Sequence, residues 1–263
     1  MIYKYINYDK IINGITNKDK LFVGDYIADP YQNCEFGCKY CDSSYDNIVY
    51  IKNDFLNKIQ KELRYLSKGT IIIGSVVDPY QIIEKELEMT RKLLKIIKEN
   101  HFKVHILTKS DLILRDIDIL SDMKNVTVTV SIISLNKKIS SFFENKVPPP
   151  INRLKLIEKL SNKGIKTGLA IIPILPYIIE NEIENIIKVS LRYKPKYLLF
   201  KFLELKGFQK NIFYDYLKVL NRDLLDKYIH LFKDNYSPEP KYVNKINTQI
   251  FKYSKKYGLS NNI

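Results

Sequence analysis

The chain has 263 residues, 43 of them Lys or Arg against 29 Asp or Glu, which gives a formal charge of +14. With 45% apolar and 27% charged residues it has the balance of a globular protein rather than a disordered or fibrous one, and at this length one domain buries roughly three quarters of its unfolded surface without disulfides. The longest apolar run, 168–179, is broken by Pro173 and Pro176 and is too short to span a membrane, and the start MIYKYINYDK lacks the core and cleavage site of a secretory leader, so a cytoplasmic monomer with no membrane partner is expected.

Taken in chain order, residues 1–20 read as an N-terminal extension packing on the main body of the fold. Residues 21–28 form the first apolar, β-branched and aromatic run, and a cysteine-rich loop comes after it. Residues 70–77 predict a second strand, and 82–100 predict a helix whose apolar face carries Ile83, Leu87, Leu94 and Ile97. A third strand over 103–109 leads to Ser110, a suitable N-cap for a helix over 111–123 with Asp111 and Arg115 four apart on one face. Strand 126–133, helix 151–163, strand 166–175, helix 180–193 and strand 197–205 continue the alternation. Six strands alternating with helices imply parallel βαβ units, an α/β chain built as an open, partial (β/α)6 barrel over 21–205. The segment 206–263 reads differently. Helical patterns at 212–220, 223–233 and 241–257 make a C-terminal helical extension covering the barrel, and the last helix starts near Ser237 or Pro238.

The three cysteines, Cys34, Cys38 and Cys41, all lie within the polar segment NCEFGCKYCDSS. An odd number so closely spaced is not a disulfide framework. Three adjacent thiolates repel one another unless a metal neutralises them, so a metal site is expected. Structural zinc takes four ligands, usually as two separated pairs. No second cysteine pair exists, and His101, His105 and His230 are remote in sequence.

In barrels the chemistry sits at the carboxyl ends of the strands. The cysteine loop follows the first strand, and the other strand ends carry Ser75, Asp78, Lys109 and Ser131. Ser and Asp there can simply cap the next helix, or the set can converge on a ligand.

The C-x3-C-x2-C spacing with Tyr40 before the last cysteine resembles the cluster loop of radical SAM enzymes. The runs GSVVDPYQIIEKELEMTRKLLKII and LTKSDLILRDIDIL, and Pro148-Pro149-Pro150 leading to Arg153-Leu154, resemble the spore photoproduct lyase-related, DNA repair photolyase-like branch over roughly 21–205. The resemblance implies a [4Fe–4S] cluster on Cys34, Cys38 and Cys41 with one iron left open. That iron would bind S-adenosylmethionine (SAM), whose reductive cleavage gives methionine and a 5′-deoxyadenosyl radical. It also implies an external flavodoxin- or ferredoxin-like electron donor and SAM contacts near Tyr40. The strand-end positions then assign Lys109 to the SAM carboxylate with Ser131 beside it, and Asp78 to the ribose or amino group. Two departures bear on the reaction. Matching the lyases' ACTSD to GSVVD puts Ser75 where they carry a hydrogen-donating cysteine, and Asp42 replaces the tyrosine that follows their last cluster cysteine. Lyase activity on a thymine photodimer is therefore not expected.

The charge supports two readings. Arginine, the preferred side chain for bidentate recognition of bases and phosphates, occurs six times against 37 lysines. The dispersed lysines are either a solvated surface or the footprint of a nucleic-acid substrate. Two functions follow: a radical SAM enzyme abstracting hydrogen from its substrate, or a non-catalytic iron–sulfur or zinc protein with a structural or electron-transfer role.

Overall fold

The computed structural model of the chain describes residues 1–15 and 21–263. Residues 16–20, the end of the expected N-terminal extension, lie outside the described residues. The chain opens with β1 (Ile2–Ile6), β2 (Asn13–Gly14), β3 (Tyr26–Ile27) and β4 (Tyr31–Gln32). After the cysteine loop come β5 (Ile48–Lys52) and α1 (Phe55–Glu62). Then follow β6 (Thr70–Ile73), α2 (Glu84–Leu87), α3 (Met89–Glu99), β7 (Lys103–Thr108), α4 (Ile117–Asp122) and β8 (Val126–Ser131). The barrel ends with α5 (Lys137–Phe143), α6 (Pro150–Asn162), β9 (Lys166–Ile174), α7 (Ile183–Ser190) and β10 (Leu198–Phe202). Helices α8 (Phe208–Leu220), α9 (Arg222–Phe232) and α10 (Pro240–Tyr257) close the chain. Among the described residues no helix is long and apolar enough to cross a membrane.

The main sheet runs β10-β9-β8-β7-β6-β3-β2. Every pairing from β3 to β10 is parallel, and β2 alone is antiparallel, against β3. These six parallel strands are the six expected from the sequence, curled into a partial barrel. Parallel strands covered on both faces must be apolar on both. Ile71, Ile72 and Ile73 of β6 and Val128 and Val130 of β8 are accordingly buried. Helix α6 meets the core through Leu154, Ile157 and Leu160, and α7 through Ile183, Ile186 and Ile187. A second sheet, β1-β5-β4, stands beside the barrel. In it Ile6 lies opposite Lys52, and Tyr31 lies opposite Ile51. Strands β1 and β5 are additions to the expected set, although both alternate or run with β-branched and aromatic residues.

Several expected elements are shorter or broken, and three of them show the physical reason. The strand over 21–28 is reduced to Tyr26–Ile27 because Val23 takes a positive φ of 52° and ends the extended chain. The helix over 82–100 breaks at Glu88, φ 52°. The buried Glu84 carboxylate accepts the Thr90 N–H at 3.0 Å and so starts α3 afresh. The helix over 111–123 is a 3-10 turn over Asp111–Asp116 followed by α4, with Ser110 accepting the Leu112 N–H at its start. Arg115 does not pair with Asp111. It holds Glu84 at 2.7 Å and Asp116 at 2.8 Å.

Gly168 in β9 shows how close the sheet lies to the buried Tyr197. A Cβ there would stand 2.1 Å from the tyrosine ring, whose hydroxyl meets the Thr129 hydroxyl at 2.6 Å. Gly168→Ala is expected to lower stability by about 1–3 kcal/mol, read as a reduced urea midpoint at unchanged slope. Gly14→Ala, where nothing lies within 4 Å of the added carbon, should leave the midpoint where it is.

Candidate functional site

The cysteine loop follows β4 and is pinned by its own backbone. The Cys34 N–H donates to Ser43 O at 2.7 Å, the Cys41 N–H to Cys38 O at 3.0 Å and the Lys39 N–H to Phe143 O at 3.0 Å. From α8, the buried Gln209 donates its amide to Tyr40 O. All three thiols are free, with Cys34 and Cys38 buried and Cys41 half-buried. Burial pushes the Cys34 thiol up to about 12 and raises Cys38 well above the usual thiol range. Burial thus favours the neutral thiol at Cys34 and Cys38, and a metal bound there would favour the thiolates.

All three thiols line one cavity of about 310 Å³, and Tyr40, Ser75, Asp78 and Lys109 line it with them. The ends of β6 and β7 form part of its wall. Gly74 sits at φ 93°, and a Cβ there would lie 2.1 Å from Leu107 O, so only glycine lets the two strand ends meet. Asp78 ties these ends together. Its carboxylate accepts the Thr108 hydroxyl at 2.7 Å, the Lys109 N–H at 2.7 Å and the Tyr80 N–H at 2.9 Å. Burial works against the Lys109 ammonium, but Cys38 once ionised, Glu144 and Asp78 more than offset it and hold its pKa above the ordinary lysine value. The ammonium stands 5.8 Å from the centre of the Tyr40 ring.

Ser131, the fourth strand-end candidate, is not in the cavity wall. It is fully buried, its hydroxyl donates to Ile172 O at 2.9 Å, and its carbonyl accepts from Arg153 at 2.7 Å. Arg153 also holds Glu144 at 2.6 Å, with both side chains wholly buried. The Tyr40 hydroxyl donates to the other Glu144 oxygen. A continuous buried chain therefore runs from the cysteine loop to the end of β8. Sequence reading assigns Glu144 and Gln209 nothing, because each meets Tyr40 from more than a hundred residues away. Lys201, Glu204 and Lys206, which line the cavity from the β10 side, are likewise unassigned by sequence. Both lysines pair with Glu204, at 3.0 Å and 2.9 Å.

The residues present suit a charged, polar cofactor. The hydroxyls of Ser44 and Ser75 are buried in the cavity wall without a hydrogen-bond partner, and a buried polar group left unpaired is costly until a ligand meets it. Among the described residues no three His, Cys, Asp or Glu side chains gather where a single ion would hold them. The thiols share the wall of a larger space instead.

Removing one partner of a buried ion pair strands the other charge. Glu144→Gln is expected to lower stability by about 3–5 kcal/mol, measured by denaturant titration. Asp215→Asn, which breaks the exposed pair with Lys218, should cost under about 1 kcal/mol.

The family model "Radical SAM superfamily" matches residues 29–189. An uncharacterized protein of Methanocaldococcus jannaschii is 30% identical over 201 residues, covering 73% of this chain and 75% of that protein. An uncharacterized protein of Mycobacterium tuberculosis is 22% identical over 256 residues, covering 89% of this chain and 75% of that protein. Among solved structures, a spore photoproduct lyase mutant with bound AdoMet and dinucleoside spore photoproduct superposes with a TM-score of 0.75 at 14% identity, over 97% of this chain and 78% of that one. SuiB of Streptococcus suis bound to precursor peptide SuiA gives 0.58 at 15% identity, over 90% and 47%. These two likenesses are of fold. Matched by the family model over most of its length, and carrying the three cysteines inside the matched segment, the chain belongs to the radical SAM superfamily.

Proposed function

We propose that the chain holds a [4Fe–4S] cluster on Cys34, Cys38 and Cys41 and cleaves SAM reductively to abstract hydrogen from a substrate. One observation carries this reading: the three-thiol loop, the Lys109 ammonium and the unpartnered Ser75 hydroxyl share one cavity at the carboxyl ends of the strands. When bound, the cluster would supply the electron that splits SAM into methionine and a 5′-deoxyadenosyl radical.

The rest is work for the chain's own groups. Lys109, which has no hydrogen-bond acceptor for its ammonium among the described residues, is placed to receive the SAM carboxylate. Asp78 fixes the backbone of Lys109 at 2.7 Å and so sets where that ammonium points. The Ser75 hydroxyl is placed to bond a polar atom of the cofactor. Tyr40, tied to Glu144 and Gln209, keeps the cysteine loop in register with the wall. Ser131 acts through Arg153 and Ile172 rather than by contact. The electron enters from a separate flavodoxin- or ferredoxin-like donor.

The substrate approaches past Lys201, Glu204 and Lys206 on the β10 side. The similar structures were solved with different substrates, one with a dinucleoside spore photoproduct and one with a precursor peptide, so fold alone supports neither. This chain has no cysteine besides the three in the loop, so a thiol hydrogen donor of its own is missing. That argues against spore photoproduct lyase chemistry.

Anaerobic reconstitution with iron and sulfide, followed by dithionite and SAM, is expected to yield 5′-deoxyadenosine, detected chromatographically. A fully loaded cluster that yields none would overturn the enzyme reading in favour of a structural or electron-transfer centre. Cys41→Ala should lose the visible iron–sulfur absorbance. Lys109→Met should keep it and weaken SAM binding about tenfold or more, the weight of one charge-assisted hydrogen bond.

A further inference from the structure

A second cavity, of about 410 Å³, lies beside the first. The two share Asp42, Val76 and Val77 as a common wall. The second lies between the rim of the barrel and the β1-β5-β4 sheet, and its charged lining is contributed by Asp29, after β3, Lys52, at the end of β5, and Asp42, on the wall shared with the first cavity. The volume is that of a small-molecule site.

Of these three, Asp29 and Lys52 are buried, and neither is fully paired. Lys52 is 9% exposed and Asp29 is 5% exposed. The Lys52 ammonium sits 4.7 Å from the centre of the Tyr8 ring. Among the described residues it has neither an ion pair nor a hydrogen-bond acceptor. One Asp29 oxygen accepts the Gly74 N–H at 2.7 Å, and the other accepts nothing among the described residues. The two side chains form no ion pair with each other, although each feels the other's charge. Burial pushes the Asp29 carboxyl up to about 6, with the Gly74 N–H and Lys52 opposing it. Burial likewise lowers the Lys52 pKa. Neither charge is held because it is comfortable where it lies.

The arrangement selects its occupant. An anion at Lys52 would face the Asp29 carboxylate, and a cation at Asp29 would face the Lys52 ammonium. A ligand carrying both charges satisfies both walls at once. The Tyr8 hydroxyl donates to the Gln32 side-chain oxygen, which turns the Gln32 amide N–H groups free to join Lys52 on the anionic end. We propose that this cavity binds the α-amino-acid head group of the substrate, its carboxylate toward Lys52 and Gln32 and its ammonium toward the open oxygen of Asp29. Binding here does not depend on SAM cleavage next door. Its use as a substrate site rests on the function proposed above, because only there does the shared wall set the ligand beside the radical's source.

The test is isothermal titration of the anaerobically reconstituted full chain, without SAM, against each of the twenty standard amino acids. At least one is expected to bind. Its decarboxylated amine and its deaminated acid should each bind about tenfold or more weakly than the zwitterion, since each forfeits one charge-assisted contact. Lys52→Met and Asp29→Asn should each weaken the zwitterion to a similar degree, with the cluster absorbance unchanged as the sign that the variants are folded. No binding by any amino acid would overturn the proposal. So would equal binding of the amine or the acid, tighter binding of inorganic phosphate or of a nucleoside, or affinity unmoved by both substitutions. The comparison of amine, acid and zwitterion is made on the unsubstituted chain, so it decides the matter even if a variant fails to fold. A protein that binds the zwitterion but yields no 5′-deoxyadenosine would keep this site and lose the enzymatic reading.

Discussion

The ion pair between Glu144 and Arg153 joins parts of the molecule that the chain itself keeps far apart. Both side chains are wholly buried, 2.6 Å apart, where a lone charge costs several kcal/mol. Each is further satisfied, Glu144 by the Tyr40 hydroxyl and Arg153 by the Ser131 carbonyl. Because removing one partner strands the other's buried charge, these contacts stand or fall together. The cysteine loop is thereby held to the end of β8 and α6, and through Gln209 to α8. Whatever the three thiols hold is therefore positioned by the barrel rather than by a loop free to move.

The same logic, polar groups settled by partners distant in sequence, shapes the neighbouring strand ends. Asp78 spends its lone pairs on the β7 terminus. Asp29 spends one oxygen on the Gly74 N–H, where close approach to Leu107 admits no side chain. With these groups engaged, some of those left over gather at the two cavities: Ser44 and Ser75 in one, Lys52 and one oxygen of Asp29 in the next. A fold that satisfies its buried polar atoms so widely makes such leftovers informative about ligands.

How much the sequence reveals depends on how local each signal is. Cys34, Cys38 and Cys41 could be read because they sit in one loop. The six barrel strands could be read because buried parallel strands are continuous apolar runs. Tyr40 could be placed because it lies inside the cysteine loop, and Ser75, Asp78 and Lys109 because strand ends converge in this architecture; the structure brings all four to one cavity. Ser131 obeyed the same rule in position but not in direction, since its hydroxyl turns to Ile172. The break at Glu88 was hidden because it depends on the buried Glu84 capping α3 and meeting Arg115. Glu144 was hidden because its meaning exists only once α5 and α6 bring it to Tyr40. The β1-β5 pair escaped because β1 stays exposed along four of its five residues and so carries no burial pattern to read. The +14 charge, the most conspicuous number in the sequence, explains none of these contacts.

On the function proposed, three thiols from one loop leave a metal position open for SAM beside Lys109. Electron–nuclear double resonance on the reduced, reconstituted protein with SAM labelled by ¹⁵N and ¹⁷O in its amino and carboxylate groups addresses it most directly. Hyperfine coupling from both labels to the cluster is expected, with the carboxylate signal weakened in Lys109→Met. A loaded, reduced cluster that shows no coupling to either label in the presence of saturating SAM would contradict it.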